Sequence, residues 1–139
     1  MSEPVRGIVI AHGTMAAGLV NAVREITGLG DDFLVAITNK GLSPDTLADQ
    51  IREGIRGPTI VFTDLLSGSC GFAARRGGKD VADYVVVSGV NLPMLLEFAM
   101  HHEEPLADLV PRLLSRARAA ITSAPSHFES NEHRAASGG

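Results

Sequence analysis

Residues 8–14, IVIAHGT, decide the fold of this chain and also contain its most informative polar residue. An apolar run ends abruptly at the imidazole of His12, a glycine follows, and a helical pattern begins. This order predicts a buried strand whose carboxyl end carries His12 beside the amino end of a helix. Ligands of open α/β sheets bind in the crevice at that edge, and the free N–H groups of a helix amino end suit a phosphate. The stretch therefore predicts an α/β fold and a site for phosphoryl chemistry.

Strand and helix patterns alternate along most of the chain. Apolar runs predict strands over residues 5–11, 33–38, 59–63 and 84–88. Helical spacing of apolar residues, bounded by serine, glycine and proline signals, predicts helices over residues 15–26, 44–56, 72–76, 94–101 and 106–121. This alternation indicates βαβ units, a parallel sheet and right-handed crossovers. Pro111 fits the last helix only in a first turn or at a kink.

Composition excludes several classes of protein. The 12 basic and 16 acidic residues give a net charge of −4 with neutral histidines, and the absence of a basic stripe argues against nucleic-acid binding. The single cysteine, Cys70, excludes an internal disulfide and offers no metal-ligand spacing, so we expect neither a metal nor a cofactor. The chain begins without a charged-then-apolar leader and has no apolar run of about 18 residues. We therefore expect a cytoplasmic protein.

The chain divides into one folded domain and a tail. Residues 1–122 contain every strong strand and helix pattern. Residues 123–139 are polar, include Pro125 and end in Ala-Ala-Ser-Gly-Gly, so we expect mainly a flexible C-terminal tail. The segment 126–129 around Phe128 is a weaker candidate for an additional edge strand.

Three predicted strands end in polar residues: His12 follows the first, Asp64 the third, and Asn91 lies just beyond the fourth. Parallel strands bring these ends to one edge of the sheet. A carboxylate that accepts a hydrogen bond from one ring nitrogen of a histidine fixes the tautomer, frees the other lone pair and stabilises the imidazolium. We therefore expect His12 to be a phosphoryl acceptor oriented by Asp64.

Hydrogen-bond donors for a phosphoryl group follow both strands. The candidates are Gly13, Thr14, Ser67, Gly68 and Ser69. Each signal is weak alone: an aspartate before a glycine-rich turn is often only a turn or cap residue, and this turn has neither the GxxxxGK[ST] nor the GxGxxG pattern. Their combination at one sheet edge favours the functional interpretation.

Three other features permit both structural and functional interpretations. Cys70 is either a packing residue or a reactive thiol near a helix start. His101 and His102 precede two glutamates, a pattern that fits a solvated helix end better than a metal site. A small basic cluster, Arg75, Arg76 and Lys79, is either a solvated face or a docking site for an acidic partner.

Three blocks of the chain resemble a known family. They are IVIAHGTMAAGL at residues 8–19, TDLLSGSCGFAAR at 63–75 and GVNLPMLLEFAM at 89–100. Their order and spacing resemble the IIA component of the mannose-type family of the sugar phosphotransferase system, over about residues 5–121. The resemblance implies a three-layer α/β sandwich with four parallel strands and one antiparallel edge strand, which is exchanged across a homodimer.

The same resemblance implies a phosphotransferase. His12 would take a phosphoryl group from HPr and pass it to a IIB component, so that the membrane is reached only indirectly, through a IIC/IID permease. Asp64 matches the aspartate that hydrogen-bonds the active histidine, and Ser69 matches a serine of the phosphate-facing loop. The loop departs from the family pattern, because Ser67 and Cys70 replace a glycine and a proline.

Two alternatives remain open from the sequence. A replaced asparagine at Phe72 and the lack of a fused IIB domain also fit a regulatory module that signals through His12 phosphorylation without feeding a transporter. A hydrolase would use Ser67 or Ser69 with His12 and Asp64, but the GxSxG elbow of such enzymes is missing.

Overall fold

The computed structural model describes residues 3–29 and 32–129. Strands and helices alternate in the order β1 (Arg6–Ala11), α1 (Met15–Thr27), β2 (Leu34–Thr38), α2 (Pro44–Glu53), β3 (Thr59–Thr63), α3 (Gly68–Gly77), β4 (Tyr84–Ser88), α4 (Leu92–His101) and α5 (Leu106–Ala119). A short 3-10 turn over Ser126–Phe128 follows. No helix in these ranges combines the length and the apolar character needed to cross a membrane.

The four strands form one parallel sheet in the order β2-β1-β3-β4. Ile8 of β1 lies beside Val35 of β2 and Val61 of β3, which fixes the register at the centre of the sheet. The chain moves outward from β1 to β2 and then crosses back to β3 on the other side of β1. Because such crossovers are right-handed, this reversal places α1 on one face and α2 and α3 on the other. The predicted parallel α/β fold is confirmed.

β1 supports both cores because successive side chains point to opposite faces of the sheet. Val9 packs on the face covered by α1, α4 and α5, together with Phe62 and Phe98. Ile8 and Ile10 pack on the opposite face against α2 and α3. Burial on both sides explains why this strand has no alternating polar residues.

Asn91 follows β4 at the carboxyl edge of the sheet, where the sequence predicted it, and it is the N-cap of α4. Its Oδ1 accepts a hydrogen bond from the N–H of Met94 at 3.0 Å, and its Nδ2 donates to the carbonyl of Ala117 at 3.1 Å. The side chain therefore starts α4 and ties it to the end of α5. Ser43 caps α2 in the same way, because its hydroxyl oxygen accepts a hydrogen bond from the N–H of Thr46.

The largest difference between the predicted and the observed helices is at α3. α3 begins at Gly68, four residues before the predicted start, so the supposed glycine-rich turn forms the first turns of a helix. Glycine and serine are weak helix formers, and the tertiary contacts of this segment override that preference. Pro111 lies inside α5, beyond its first turn.

The predicted antiparallel edge strand is not among the strands of the described residues. Ser126–Phe128 form the 3-10 turn instead, and the side chain of Glu129 accepts a hydrogen bond from the N–H of Ser123 at 2.9 Å. Most of the predicted tail, residues 130–139, lies outside the described residues. The exchange of a strand between subunits stays a prediction.

We expect Phe98→Ala to reduce the free energy of unfolding by about 3–5 kcal/mol, the usual cost of a phenylalanine-sized cavity. Phe98 is fully buried and its ring meets that of Phe62 edge-on at a centroid distance of 5.3 Å. Urea unfolding of both proteins measures the loss. Phe128→Ala is the matched control, because Phe128 is 67% exposed; equal effects of the two substitutions would contradict this account of the core.

Candidate active site

The predicted site lies at the carboxyl edge of the sheet, where β1 and β3 lie side by side. The chain leaves β1 in one direction and returns to β3 in the other, so this edge is the topological switch point at which open α/β sheets bind ligands. Ile10 pairs with Thr63 at the last rung of the two strands. His12 and Asp64 follow directly and face each other there.

Asp64 holds His12 through two hydrogen bonds. The backbone N–H of His12 donates to Asp64 Oδ2 at 3.0 Å, and ring nitrogen Nδ1 lies 2.8 Å from the same oxygen. The N–H of Leu65 donates to Oδ1 at 2.9 Å. Both carboxylate oxygens are therefore fixed, and an ionised Asp64 requires the ring proton on Nδ1.

The second ring nitrogen, Nε2, remains available. The His12 side chain is 47% exposed, whereas that of Asp64 is 10% exposed. The free edge of the ring faces the start of α3: a Cβ atom built on Gly68 would lie 3.8 Å from Cε1 and 4.0 Å from Nε2 of His12. Gly68 has a φ of +89°, which strongly favours glycine.

Two helix amino ends converge on His12. α1 begins after Thr14 and α3 after Ser67, and neither of these N-cap side chains accepts a capping hydrogen bond. The first N–H groups of both helices thus lack a side-chain partner, and both helix dipoles are positive at this end. All predicted phosphate-facing residues belong to these two segments: Gly13, Thr14, Ser67, Gly68 and Ser69.

The end of β2 contributes residues that the sequence-based prediction missed. The hydroxyl of Thr38 donates to the carbonyl of Gly13 at 3.0 Å, and Asn39 Nδ2 donates to Ser69 Oγ at 3.5 Å. These contacts hold the segments that follow β1 and β3, and they come from the side of β1 that faces away from β3. The sequence did contain a signal for these two residues, because β2 is a parallel strand that also ends in polar residues.

The loop between β3 and α3 is held in place by Gly71 and Arg75. A Cβ atom at Gly71 would lie 2.4 Å from the carbonyl oxygen of Leu66, so only glycine permits this approach. Arg75 Nη1 donates to the same oxygen at 2.9 Å. Arg75 therefore supports the backbone of this loop. The side chains of Leu65 and Leu66 in the loop are exposed beside the site.

Cys70 is buried next to His12, with Sγ 3.9 Å from Nδ1. Burial raises the pKa of the Cys70 thiol, and the charge of Asp64 raises it further. The sequence offered no metal-ligand spacing, but folding brings one ligand atom each of His12, Asp64 and Cys70 within 4.8 Å of one another. The absence of ligand spacing along the sequence therefore did not reveal this cluster, and the expectation of no metal stays a prediction.

The serine arrangement of a hydrolase is not formed. Among the hydrogen bonds of residues 3–29 and 32–129, none joins His12 to Ser67 or Ser69. Ser69 contacts Asn39 instead. The His12–Asp64 pair therefore has no serine nucleophile attached to it.

We expect Asp64 to make stability pH-dependent. Burial opposes its charge, but hydrogen bonds from His12 and Leu65 outweigh that effect and lower the pKa of this carboxyl below its ordinary value of 3.8. A lowered pKa stabilises the fold above about pH 4, and this contribution disappears as the pH falls through the folded-state value. The difference in unfolding free energy between wild type and Asp64→Asn should accordingly shrink from neutral pH to about pH 3. Urea unfolding at both pH values measures it, and an unchanged difference would refute the assignment.

Comparisons with known proteins identify the family of the chain. The EIIA-man family model, described as the fructose IIA component of the phosphotransferase system, matches residues 7–112. A comparison with curated protein sequences gives no match.

Solved structures share the fold. Phosphotransferase system component EIIA from Streptococcus agalactiae is 24% identical with a TM-score of 0.81, covering 87% of this chain and 98% of its own. The mannose/sorbose specific IIA subunit from Enterococcus faecalis is 28% identical with a TM-score of 0.73, covering 87% and 95%. Since the family model spans most of the chain, the protein belongs to the EIIA-man family of phosphotransferase system IIA components.

Proposed function

We propose that this protein is a phosphohistidine carrier of the phosphoenolpyruvate-dependent sugar phosphotransferase system. His12 accepts a phosphoryl group from HPr and passes it to a IIB component. The observation that carries the proposal is the 2.8 Å contact between Nδ1 of His12 and Asp64, which leaves the Nε2 lone pair free on a side chain that is about half exposed. Membership of the EIIA-man family supports it.

The transfer is a displacement at phosphorus. The Nε2 lone pair of His12 forms the new P–N bond while the P–N bond to the donor histidine breaks, and the electron pair of that bond returns to the donor ring. His12 thereby becomes a positively charged phosphoimidazole whose Nδ1–H still donates to Asp64. The carboxylate stabilises the charge as it develops, and the reverse displacement delivers the phosphoryl group to the acceptor.

The phosphoryl oxygens are stabilised by backbone N–H groups. In the proposal these come from Gly13 and Thr14 at the start of α1 and from Gly68 and Ser69 at the start of α3, with the hydroxyl of Ser67 nearby. Phosphoryl transfer depends mainly on positioning and electrostatic stabilisation. Two uncapped helix ends beside Nε2 supply both.

Partner docking uses the apolar surface beside His12. Leu65, Leu66, Phe72 and Met15 are exposed large hydrophobic residues that flank the site in sequence. Such a surface suits brief contacts with two successive partners, since transient interfaces often bury less than about 1,200 Å². The apolar side chains exclude water while HPr or IIB is bound.

The wider proposal places the functional domain in residues 1–122 and the protein in the cytoplasm. The protein contacts the membrane only indirectly, through a IIC/IID permease. A homodimer that exchanges a fifth strand is part of it, with the segment around Phe128 as the candidate. A regulatory module that signals through His12 phosphorylation is the alternative, supported by the departures of Ser67, Cys70 and Phe72 from the family pattern.

We expect His12→Ala to abolish phosphorylation, because within residues 3–29 and 32–129 only His12 has one ring nitrogen bound to a carboxylate while the other has no partner. Asp64→Asn should slow the reaction by about 10²- to 10⁴-fold without abolishing it, because the amide loses the charge and favours the wrong tautomer. Incubation with phosphoenolpyruvate, enzyme I and HPr, followed by phosphohistidine detection, measures both rates.

His101→Asn is the matched control for this experiment. His101 also lies between carboxylates, 3.2 Å from Glu97 and 2.9 Å from Glu104, but on α4 and not at the site. Its loss should leave phosphorylation unchanged. A wild-type chain that stays unphosphorylated refutes the carrier proposal, whereas phosphorylation without transfer to any IIB protein favours the regulatory alternative.

We expect Leu66→Ala to raise the KM for phosphorylated HPr about five- to thirtyfold, the effect of losing about 1–2 kcal/mol at a contact residue. Leu66 is 72% exposed, so thermal stability should barely change. Ile26→Ala is the control, since Ile26 is 61% exposed but lies near the far end of α1. Steady-state transfer kinetics distinguish the two variants, and an equal KM effect would place the docking surface elsewhere.

A further inference from the structure

Three side chains with different metal-binding chemistry meet beside the His12 ring. Nδ1 of His12 lies 2.8 Å from Asp64 Oδ2 and 3.9 Å from Cys70 Sγ, and one ligand atom of each residue lies within 4.8 Å of the others. The residues come from the end of β1, the end of β3 and the first turn of α3. Imidazole and thiolate ligands favour zinc, whereas magnesium and calcium prefer oxygen.

The spacing fits a tetrahedral metal centre. Zinc bonds of about 2.1 Å to nitrogen or oxygen and about 2.3 Å to sulfur place neighbouring ligand atoms about 3.4–3.6 Å apart. The observed contacts of 2.8 and 3.9 Å lie on either side of this separation and all three ligand atoms lie within 4.8 Å of one another, so side-chain shifts of about 1 Å bring them into place. Three protein ligands leave the fourth position to water, as in open zinc sites.

We propose that His12, Asp64 and Cys70 form a Zn²⁺ site whose occupation blocks phosphoryl acceptance at Nε2. Binding of the metal follows from the three side chains alone. The block rests on the proposed function, because it matters only if Nε2 is the phosphoryl acceptor.

Zinc blocks phosphoryl acceptance because it moves the proton of the His12 ring from Nδ1 to Nε2. Zinc takes the Nδ1 lone pair, so the proton that Nδ1 shared with Asp64 moves through solvent to Nε2, and the imidazole stays neutral. Nε2 then holds a hydrogen in place of the lone pair that attacks phosphorus. The Cys70 thiol releases its proton to solvent, and Asp64 exchanges a hydrogen bond for a metal bond. Thiolate and carboxylate together balance the two charges of the ion.

Access is from the solvent side of the ring. The His12 side chain is about half exposed, while Cys70 is buried and in contact with it. An ion that reaches the ring from solvent therefore finds the thiol at the inner side of the site. A competing surface location is His101 between Glu97 and Glu104, which offers no sulfur.

The first test measures binding of the metal alone to the full chain. Titration with Zn²⁺ against a chromophoric chelator gives the affinity, and Co²⁺ reports sulfur ligation through a thiolate charge-transfer band. We expect this band in wild type and its loss in Cys70→Ser, with Zn²⁺ affinity falling at least 10- to 100-fold, the range seen even for outer-shell partners. His101→Asn should change neither. No thiolate band in wild type, or equal Zn²⁺ affinity in Cys70→Ser, overturns the site.

The second test uses purified phosphorylated HPr as the donor, so that metal effects on enzyme I do not enter. Zn²⁺ should suppress phosphorylation of the wild-type chain, and a chelator should restore it. Cys70→Ser should be phosphorylated with or without the ion, and equal inhibition of this variant overturns the proposed block. A wild-type chain that accepts no phosphate even without zinc refutes the proposed function, whereas the binding test still decides the metal site.

Discussion

The hydrogen bond between the His12 ring and Asp64 joins the ends of β1 and β3, and the geometry of the site depends on it. It forms because the two strands are adjacent, parallel and in register up to Ile10 and Thr63. The carboxylate is itself fixed by backbone N–H groups of His12 and Leu65. The ring is therefore oriented by the sheet, and a shift in register would separate the two side chains.

The sheet can hold this register because its central strand is buried on both faces. Residues 8–11 are fully inaccessible and divide their side chains between two cores. One core contains the large rings of Phe62 and Phe98, and the other is completed by small residues of α3 such as Ala73 and Ala74. Those small side chains allow α3 to lie close to the sheet, which brings its amino end next to His12.

Much of this arrangement could be predicted from local patterns. The strand that ends in a histidine, the aspartate after a second strand and the alternation of elements each leave a signal within a few residues. The start of α3 could not be predicted, because glycine and serine disfavour helix formation and only tertiary contacts compensate. The position of Asn91 after a strand was predictable, but its role as the cap of α4 was not, since a polar residue there could equally face the site. The contact between His12 and Cys70 spans 58 residues, so no spacing in the sequence reveals it.

The close approach of Gly71 to the carbonyl of Leu66 ties the loop after β3 to the amino end of α3, and under the proposed function it links partner docking to phosphate binding. The backbone of the exposed Leu65 and Leu66 lies against the helix whose first N–H groups face the histidine. Any side chain at position 71 would displace both together. The outward-facing side chains of this loop are free of that constraint, whereas its path and the amino end of α3 can move only as a single unit.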